Sequence, residues 1–189
     1  MTYTLDTFVD ECRDRISAGG VPADFVTDLA PSMHRLLSGD LGFLKPKHFK
    51  SHSEHYARNA IYIADDDSMS LYALVWLPGQ WTPIHDHGTW GVVGVSEGRL
   101  EERNFIRIDQ HGADALEDID LARGGVILLA PGAVTSFVPN PDHIHITGNS
   151  DPQERVVSLH LYGSGMSGFH IYDRDTGTRR WIEVSHNES

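Results

Sequence analysis

From about residue 59 onward, the sequence consists of short β-prone runs separated by residues that favour turns. The runs are SLYALVW, GVVGV, LEERNFIRI, GVILLA, TSFVP, VVSLHLY and FHIYD, with Gly, Pro, Asp and Asn between them. Branched and aromatic side chains favour strands, and frequent turn signals between short strands are typical of antiparallel sheets. Because no strand alternates with a long helix, the parallel dinucleotide-binding folds are excluded. The pattern predicts a sandwich or barrel of antiparallel strands.

The N-terminal segment has a different periodicity, in which apolar residues recur at helical spacing. They are Phe8, Cys12 and Ile16 before the pair Gly19-Gly20, and Val26, Leu29, Met33, Leu36 and Leu37 after it. This pattern predicts two helices, with Cys12 packed on the apolar face of the first. A chain of 189 residues with 40% hydrophobic residues is long enough to bury one core. We therefore expect a single domain over residues 1–189, with a helical cap over 1–45 and a mostly β barrel over 46–189.

Composition narrows the partners and the kinds of metal site that this chain can have. The formal net charge of −12, with no cluster of Lys or Arg to offset it, disfavours nucleic acid and anionic membrane surfaces as partners. No apolar stretch approaches the roughly 20 residues that span a bilayer, and the N-terminus lacks the pattern of a signal peptide, so we expect a cytoplasmic protein. Cys12 is the only cysteine, which excludes an internal disulfide and a zinc site of several thiolates. A bound metal would need histidine and oxygen ligands.

The segment TPIHDHGTWGVVGV, residues 82–95, carries two histidines one residue apart on a predicted strand. Side chains alternate between the two faces of a strand, so His85 and His87 point to one side and Asp86 to the other. Both imidazoles can therefore contact one ion, although a His-x-His pair by itself also occurs on exposed strands. Further ligands elsewhere in the chain are needed to decide between these two interpretations.

The residues around this pair resemble the first motif of the cupin family, in which a glycine, a His-x-His pair, a glutamate and a second glycine follow one another. Gly79 and Gly98 match the glycines, but Gly91 stands where the glutamate ligand would be. The second cupin motif is matched by Gly125, Pro131, His145 and Asn149. The resemblance implies an antiparallel β-barrel and a third metal ligand at His145. His143 shares the strand parity of His145 and is the rival candidate, but only His145 has the asparagine four residues later.

A set of three neutral imidazoles without a carboxylate constrains the metal and its substrate. Imidazole suits iron, copper, nickel and zinc, and three ligands on one side leave positions open for substrate and oxygen. Because the ligands carry no charge, the metal keeps its full double positive charge. An anionic ligand such as a thiolate would be attracted to it.

With three histidines and no glutamate, this chain resembles the cysteine dioxygenase family of thiol dioxygenases, whose members are cupins that hold iron with three histidines. The run SLHLY places Ser158, His160 and Tyr162 at period two on one strand face, which matches the Ser-His-Tyr triad of that family. The run YARN places Arg58 where members that use cysteine have an arginine for the substrate carboxylate. The resemblance covers about residues 45–175.

The resemblance implies a non-haem iron enzyme whose partners are a small thiol and O2. The implied ligands of Fe(II) are His85, His87 and His145. Both atoms of O2 would be transferred to the sulfur of a cysteine-like thiol, giving a sulfinic acid. Arg58 would hold the substrate carboxylate. Tyr162, oriented by His160 and Ser158, would donate a hydrogen bond to bound substrate or oxygen.

Two departures from the family pattern bear on the tyrosine and on the substrate. Gly91 stands where mammalian members have a cysteine cross-linked to the triad tyrosine, so Tyr162 is expected to be an unmodified phenol, as in a bacterial type of the enzyme. Relatives that prefer 3-mercaptopropionate usually have glutamine in place of Arg58 and an arginine after the triad tyrosine. This chain has His170 in that neighbourhood, with further arginines at 174, 179 and 180. The arginine pattern favours a cysteine-like substrate.

Several alternatives stay open on the sequence alone. The substrate could be 3-mercaptopropionate or mercaptosuccinate, and the protein could instead be a cupin that binds a metal or a small ligand without turnover. Arg58 could be part of a structural ion pair, and the triad could be a buried polar strand face. The oligomeric state is not predicted.

Overall fold

The computed structural model describes residues 3–139 and 143–187, and its N-terminal part is helical. The helices are α1 (Leu5–Ser17) and α2 (Pro22–Ser38), followed by two short 3-10 helices over Leu41–Phe43 and Pro46–Phe49. Thr4 caps α1 by accepting a hydrogen bond from the backbone N–H of Thr7, and Pro22 begins α2 where its missing N–H is not needed. The two predicted helices are thus confirmed. Among the described residues, no helix has the length and apolar character that crossing a membrane requires.

The rest of the described chain forms two antiparallel sheets. The strands are β1 (Ala57–Ile63), β2 (Ser70–Trp76), β3 (Ile84–His85), β4 (Gly91–Glu97), β5 (Leu100–Arg107), β6 (Leu121–Leu129), β7 (Val134–Phe137), β8 (Ile144–Gly148), β9 (Val156–Tyr162), β10 (Gly168–Asp173) and β11 (Thr178–Glu183). One sheet has the order β1-β2-β9-β4-β7 and the other the order β11-β10-β3-β8-β5-β6. The pairings between these strands are antiparallel, as the strand pattern predicts.

The five-stranded sheet is buried on both faces, and this explains why β2 and β9 are buried along their whole length. On one face, Leu71 and Leu159 pack against the two helices. On the other face, Leu74 and Val156 belong to a second cluster, which also contains Leu100 of the six-stranded sheet. Because side chains alternate along a strand, every second residue of β2 and β9 points into the space between the sheets. Polar residues at these inward positions are therefore removed from water.

The approach of α2 to the sheet depends on Gly94 in β4. A Cβ atom at this position would lie 2.5 Å from Cδ1 of Leu37 and 2.9 Å from Cγ of Met33, so only glycine permits this contact. Cys12 of α1 is fully buried in the same layer, as predicted, and burial raises the pKa of its thiol to about 12. The thiol therefore packs as a neutral side chain.

Replacing Gly94 with alanine should force Leu37 and Met33 out of their packed positions. We expect Gly94→Ala to lower the free energy of unfolding by about 1–3 kcal/mol, measured by denaturant unfolding. The control is Gly112→Ala, because a Cβ at Gly112 would meet nothing within 4 Å, and its effect should stay within about 0.5 kcal/mol. Equal effects of the two variants would show that helix packing does not depend on the missing side chain at 94.

Candidate metal centre

Strand pairing brings the three predicted histidines together. β3 lies between β10 and β8, and His85 is directly opposite His145 in the antiparallel register. Their ring centroids are 4.6 Å apart, and the ring of His87 lies 4.7 Å from that of His85 and 4.9 Å from that of His145. All three side chains are buried, and one nitrogen from each lies within 4.8 Å of the others. The group therefore has the dimensions of a site for a single ion.

The chemistry of these nitrogens fits a divalent metal. Nδ1 of His85 lies 3.0 Å from the carbonyl oxygen of Pro83, which can only accept, so Nδ1 carries the proton and Nε2 keeps its lone pair. Nε2 of His145 and Nδ1 of His87 are buried without a hydrogen-bond partner among the described residues. Burial lowers the pKa of all three imidazoles below the usual value, so they are neutral. Buried imidazole nitrogens without a hydrogen-bond partner are what a metal such as iron, copper, nickel or zinc would satisfy.

The wall of the site next to His87 is formed by Phe137, which is the cross-strand partner of Gly91. A Cβ atom at Gly91 would lie 2.3 Å from Cζ of Phe137, so the phenylalanine ring occupies the space that a side chain at 91 would need. The same ring stacks on the imidazole of His87, with centroids 4.1 Å apart. The space beside Gly91 is therefore filled by an apolar ring. Neither a carboxylate ligand nor a cross-linking thiol can come from this position.

The three polar residues of β9 form a hydrogen-bonded series that begins at a tryptophan. The indole N–H of Trp76 donates to Oγ of Ser158 over 2.9 Å, Oγ of Ser158 lies 2.8 Å from Nε2 of His160, and Nδ1 of His160 lies 3.1 Å from the hydroxyl of Tyr162. Burial lowers the pKa of His160 to about 3 and raises that of Tyr162. Both side chains are therefore neutral.

The tryptophan sets the direction of this series, because its N–H can only donate. Ser158 accepts from Trp76, and its own proton finds an acceptor among the described residues only at Nε2 of His160. The neutral imidazole then carries its proton on Nδ1 and donates it to the oxygen of Tyr162. This arrangement uses each donor once and leaves the Tyr162 hydroxyl proton free to point into the cavity.

Arg58 lies on β1 and is buried with only part of its hydrogen-bonding capacity used. Its Nη2 donates to the carbonyl oxygen of Met166 over 3.2 Å, and its guanidinium lies over the ring of Tyr72 at 4.6 Å. Nη1 is buried without a hydrogen-bond partner, and no carboxylate of the described residues lies within ion-pair distance. A buried cation without an anion is costly, so this one calls for an anionic ligand.

A small cavity connects these groups. It has a volume of about 20 Å³ and is lined by the three histidines, by Arg58 and by His160 and Tyr162, among others. Arg58 is the only Lys, Arg, Asp or Glu among its described lining residues. A larger cavity of about 630 Å³ shares the walls formed by Tyr56, Arg58 and Phe169 and is open to the surface. Arg58 therefore stands where the wide outer cavity meets the narrow inner one.

The histidine and the arginines that the sequence analysis considered after Tyr162 lie elsewhere. His170, Arg174 and the residues at 179 and 180 do not line the inner cavity. Arg174 lies over the ring of Phe105 at 5.5 Å, and Arg180 is exposed. Among the described residues, the structure thus offers Arg58 alone as a carboxylate-binding arginine beside the three histidines.

Two buried acids near the histidines were missed by the sequence analysis as functional residues. Asp86 accepts hydrogen bonds from the hydroxyl of Tyr172 (2.9 Å) and from the backbone N–H of His170 (3.0 Å), which ties β3 to β10. Glu102 of β5 lies with its Oε2 3.2 Å from Nδ1 of His145. The signal for Glu102 was its parity with the apolar Leu100, which predicts an inward-facing side chain on the same strand.

Two facing antiparallel sheets around a buried three-histidine group define a cupin with a candidate metal site. The family model of cysteine dioxygenase type I matches residues 46–175, and the chain therefore belongs to this family.

Comparison with solved structures finds more distant similarity. An uncharacterized conserved protein with a double-stranded beta-helix domain from Klebsiella pneumoniae is 17% identical, with a TM-score of 0.48 over 67% of this chain and 91% of that one. An RmlC-like cupin from Ralstonia eutropha is 11% identical, with a TM-score of 0.46 over 71% of each chain.

Removing one candidate ligand should abolish tight metal binding without unfolding the protein. We expect His85→Ala, His87→Ala and His145→Ala each to lose most of the bound metal, measured as metal per chain after anaerobic loading with Fe(II) and desalting. His143→Ala is the matched control, and it should keep one iron per chain. His143 lies outside the three-histidine group and clusters instead with Glu102 and His145. Normal iron in His145→Ala together with loss in His143→Ala would reverse the assignment of the third ligand.

Proposed function

We propose that this protein is a non-haem Fe(II) thiol dioxygenase that oxidises a small, carboxylate-bearing, cysteine-like thiol to its sulfinic acid. The observation that carries the proposal is the buried Arg58 guanidinium, which has no acidic partner among the described residues and lines one cavity with the three-histidine group. Membership of the cysteine dioxygenase family supports the reaction class. Fe(II) held by His85, His87 and His145 would supply binding of the thiolate and the redox chemistry that transfers both oxygen atoms to sulfur.

Arg58 would bind the carboxylate and thereby position the sulfur. Its planar fork can form two parallel hydrogen bonds to a carboxylate, and these bonds are stronger in a cavity from which water is largely excluded. The contacts to Met166 and Tyr72 hold the guanidinium in one orientation, so little freedom remains to be lost on binding. A substrate anchored in this way would present its thiolate towards the histidines.

Tyr162 would supply a proton donor within the cavity that Arg58 and the three histidines line. Its ring lies 5.8 Å from that of His87, and its hydroxyl proton is the one left free by the series that starts at Trp76. Because burial raises the pKa of Tyr162, the phenol keeps this proton. It could therefore stabilise negative charge on bound oxygen or on the substrate by a hydrogen bond, while His160 and Ser158 fix its direction.

The inner cavity is small relative to an amino acid, so substrate binding would require a wall side chain to move. Met166 lines this cavity and has a flexible, unbranched side chain. Its backbone is in the left-handed region, with a φ of 49°, and its carbonyl oxygen is held by Arg58. We infer that the Met166 thioether swings aside while its backbone stays fixed, which would leave the Arg58 contact intact.

The electrostatic surroundings favour a thiol with one carboxylate. Mercaptosuccinate carries two carboxylates, and the inner cavity offers one cation among its described lining residues. In relatives that prefer 3-mercaptopropionate, an arginine after the triad tyrosine is expected, whereas the residues of this chain in that region lie outside the cavity. These observations support the cysteine-like alternative.

Oxygen uptake by the Fe(II)-loaded protein tests the proposal directly. We expect uptake above the free-iron background with cysteine, at one O2 per sulfinate formed, and slower uptake with 3-mercaptopropionate and mercaptosuccinate. Faster turnover of either acid than of cysteine would identify that acid as the preferred substrate and contradict the cysteine-like assignment. A protein that binds iron but consumes no oxygen with any small thiol would be a binding cupin, and the dioxygenase proposal would fail.

Replacing Arg58 should affect only substrates that carry a carboxylate. We expect Arg58→Ala to lower kcat/KM for cysteine, with a rise in activation free energy of about 2–4 kcal/mol, because the carboxylate loses its partner in a partly desolvated site. Cysteamine has no carboxylate, so its low activity should hardly change. Arg58→Lys should recover part of the loss, since it keeps the charge but not the fork.

The matched control is Arg180→Ala, which removes an exposed arginine outside the cavity and should leave both substrates unaffected. An equal fall in activity for cysteine and cysteamine in Arg58→Ala would make Arg58 a structural residue instead of a carboxylate-binding one.

A further inference from the structure

Glu102 is a buried carboxylate on the far side of a candidate metal ligand. It points inward from β5 and is 3% exposed. Its Oε2 lies 3.2 Å from Nδ1 of His145, and its Oε1 lies 3.5 Å from Nε2 of His143. No Lys or Arg of the described residues lies within ion-pair distance of it. Its neighbours are therefore two imidazoles, one of which belongs to the three-histidine group.

A buried carboxylate without a cation is unfavourable, so its position needs an explanation. Burial would raise the pKa of the Glu102 carboxyl, but the adjacent imidazoles of His143 and His145 outweigh burial and hold that pKa below its usual range. Both oxygens of Glu102 therefore face imidazole nitrogens, at 3.2 Å and 3.5 Å, and no Lys or Arg of the described residues offers it a permanent positive charge.

A divalent metal on Nε2 of His145 would supply this charge. A ligating histidine commonly donates its second ring N–H to a carboxylate, which fixes the tautomer and makes the metal-facing nitrogen more basic. The contact between Glu102 and Nδ1 is short but bent, so a small rotation of the imidazole would align the N–H with the carboxylate. The other oxygen of Glu102 is approached by His143, whose ring stacks on Phe137 at 4.8 Å with the planes 4° apart. Glu102 therefore contacts the ring of His145 directly. Through His143 and Phe137 the same arrangement reaches the ring of His87, on which Phe137 stacks.

We propose that Glu102 is a positioning residue that orients the imidazole of His145. From behind this ligand, Glu102 also supplies the negative charge that is absent at Gly91. Gly91 removes the carboxylate from the coordination sphere, and Phe137 fills its space. Glu102 returns one negative charge at a distance from which it cannot occupy a coordination position. The open positions would remain available to substrate and oxygen, while the affinity for a divalent ion is increased. This inference rests on the metal site of the proposed function, but not on turnover.

The test compares metal affinity in Glu102→Gln and Glu101→Gln. Glutamine keeps the size and the acceptor oxygen of glutamate and removes its charge. Glu101 precedes Glu102 on the same strand, faces the other way and contacts Arg103 at 2.7 Å, so it is a matched control. We expect Glu102→Gln to bind Fe(II) and Zn(II) about 10- to 100-fold more weakly, measured by competition with a chromophoric chelator under anaerobic conditions. Glu101→Gln should bind both ions as the unmodified protein does.

The thermal unfolding of the metal-free proteins separates positioning from a structural role. Metal-free Glu102→Gln should keep a cooperative unfolding transition close in temperature to that of the unmodified protein, because glutamine keeps the size and the acceptor oxygen of glutamate. Glu102→Asp keeps the charge with a shorter reach and should recover part of the metal affinity. Unchanged metal affinity in Glu102→Gln, or a loss that is matched by a lower unfolding temperature of the metal-free form, would overturn the proposal.

The number of bound ions provides a further check, since Glu102, His143 and His145 also lie within 4.8 Å of one another. We expect one ion per chain in the unmodified protein and in His143→Ala. Two ions per chain, with one lost in Glu102→Gln, would make Glu102 a direct ligand of a second metal and overturn the positioning role. Metal titration needs no catalysis. An absence of oxygen uptake would therefore contradict the proposed function, but the metal affinities of Glu102→Gln and Glu101→Gln would still test the role of Glu102.

Discussion

The site depends on the antiparallel register in which His85 lies opposite His145. β3 is only two residues long, so it can hold its place only through its neighbours β8 and β10. Asp86 strengthens one of these contacts, because it accepts hydrogen bonds from the backbone N–H of His170 and the hydroxyl of Tyr172. A slip of one residue in this register would turn every side chain of the strand to the opposite face and separate the imidazoles. The acid between the two histidines thus contributes to the metal centre through the strand that carries it.

Burial on both faces of the five-stranded sheet makes the rest of the site rigid. β9 carries the triad on one face and Leu159 and Leu161 against the helices on the other. Close-packed interiors resist displacement of their side chains, so the phenol of Tyr162 is held by its packing as well as by its hydrogen bonds. The N-terminal helices lie on the outer face of this sheet, and they support the site without contributing a lining residue to the inner cavity.

The parts of the site that could be predicted from sequence are those whose signal is local to one strand. Period-two spacing predicted that His85 and His87 lie together on one strand. Their rings are close, at 4.7 Å, but β3 ends at His85 and His87 lies just beyond it. Family resemblance supplied the distant His145. Glu102 was missed because its significance comes from the pairing of β5 with β8, which no local pattern describes. Phe137 was missed for the same reason, since it fills the space at residue 91 from a different strand. Cross-strand packing is decided by the whole fold, and it is the part that sequence periodicity does not specify.

The charges around the cavity connect the proposed substrate with the proposed metal. A divalent ion would bring two positive charges, the buried guanidinium of Arg58 adds one, and the carboxylate of Glu102 removes one. The histidines are neutral, so two positive charges would remain in a region of low dielectric constant, where unbalanced charge is unfavourable. A thiolate and a carboxylate on one small molecule would balance both, with sulfur near the histidines and the carboxylate on Arg58. A thiol without a carboxylate would leave Arg58 unpaired, and a dicarboxylate would add an anion that no described cation of the inner cavity meets. Charge balance therefore favours a substrate with one thiol and one carboxylate. An ammonium group such as that of cysteine would restore one positive charge, so the choice of cysteine over 3-mercaptopropionate rests on the arginine pattern and not on charge balance.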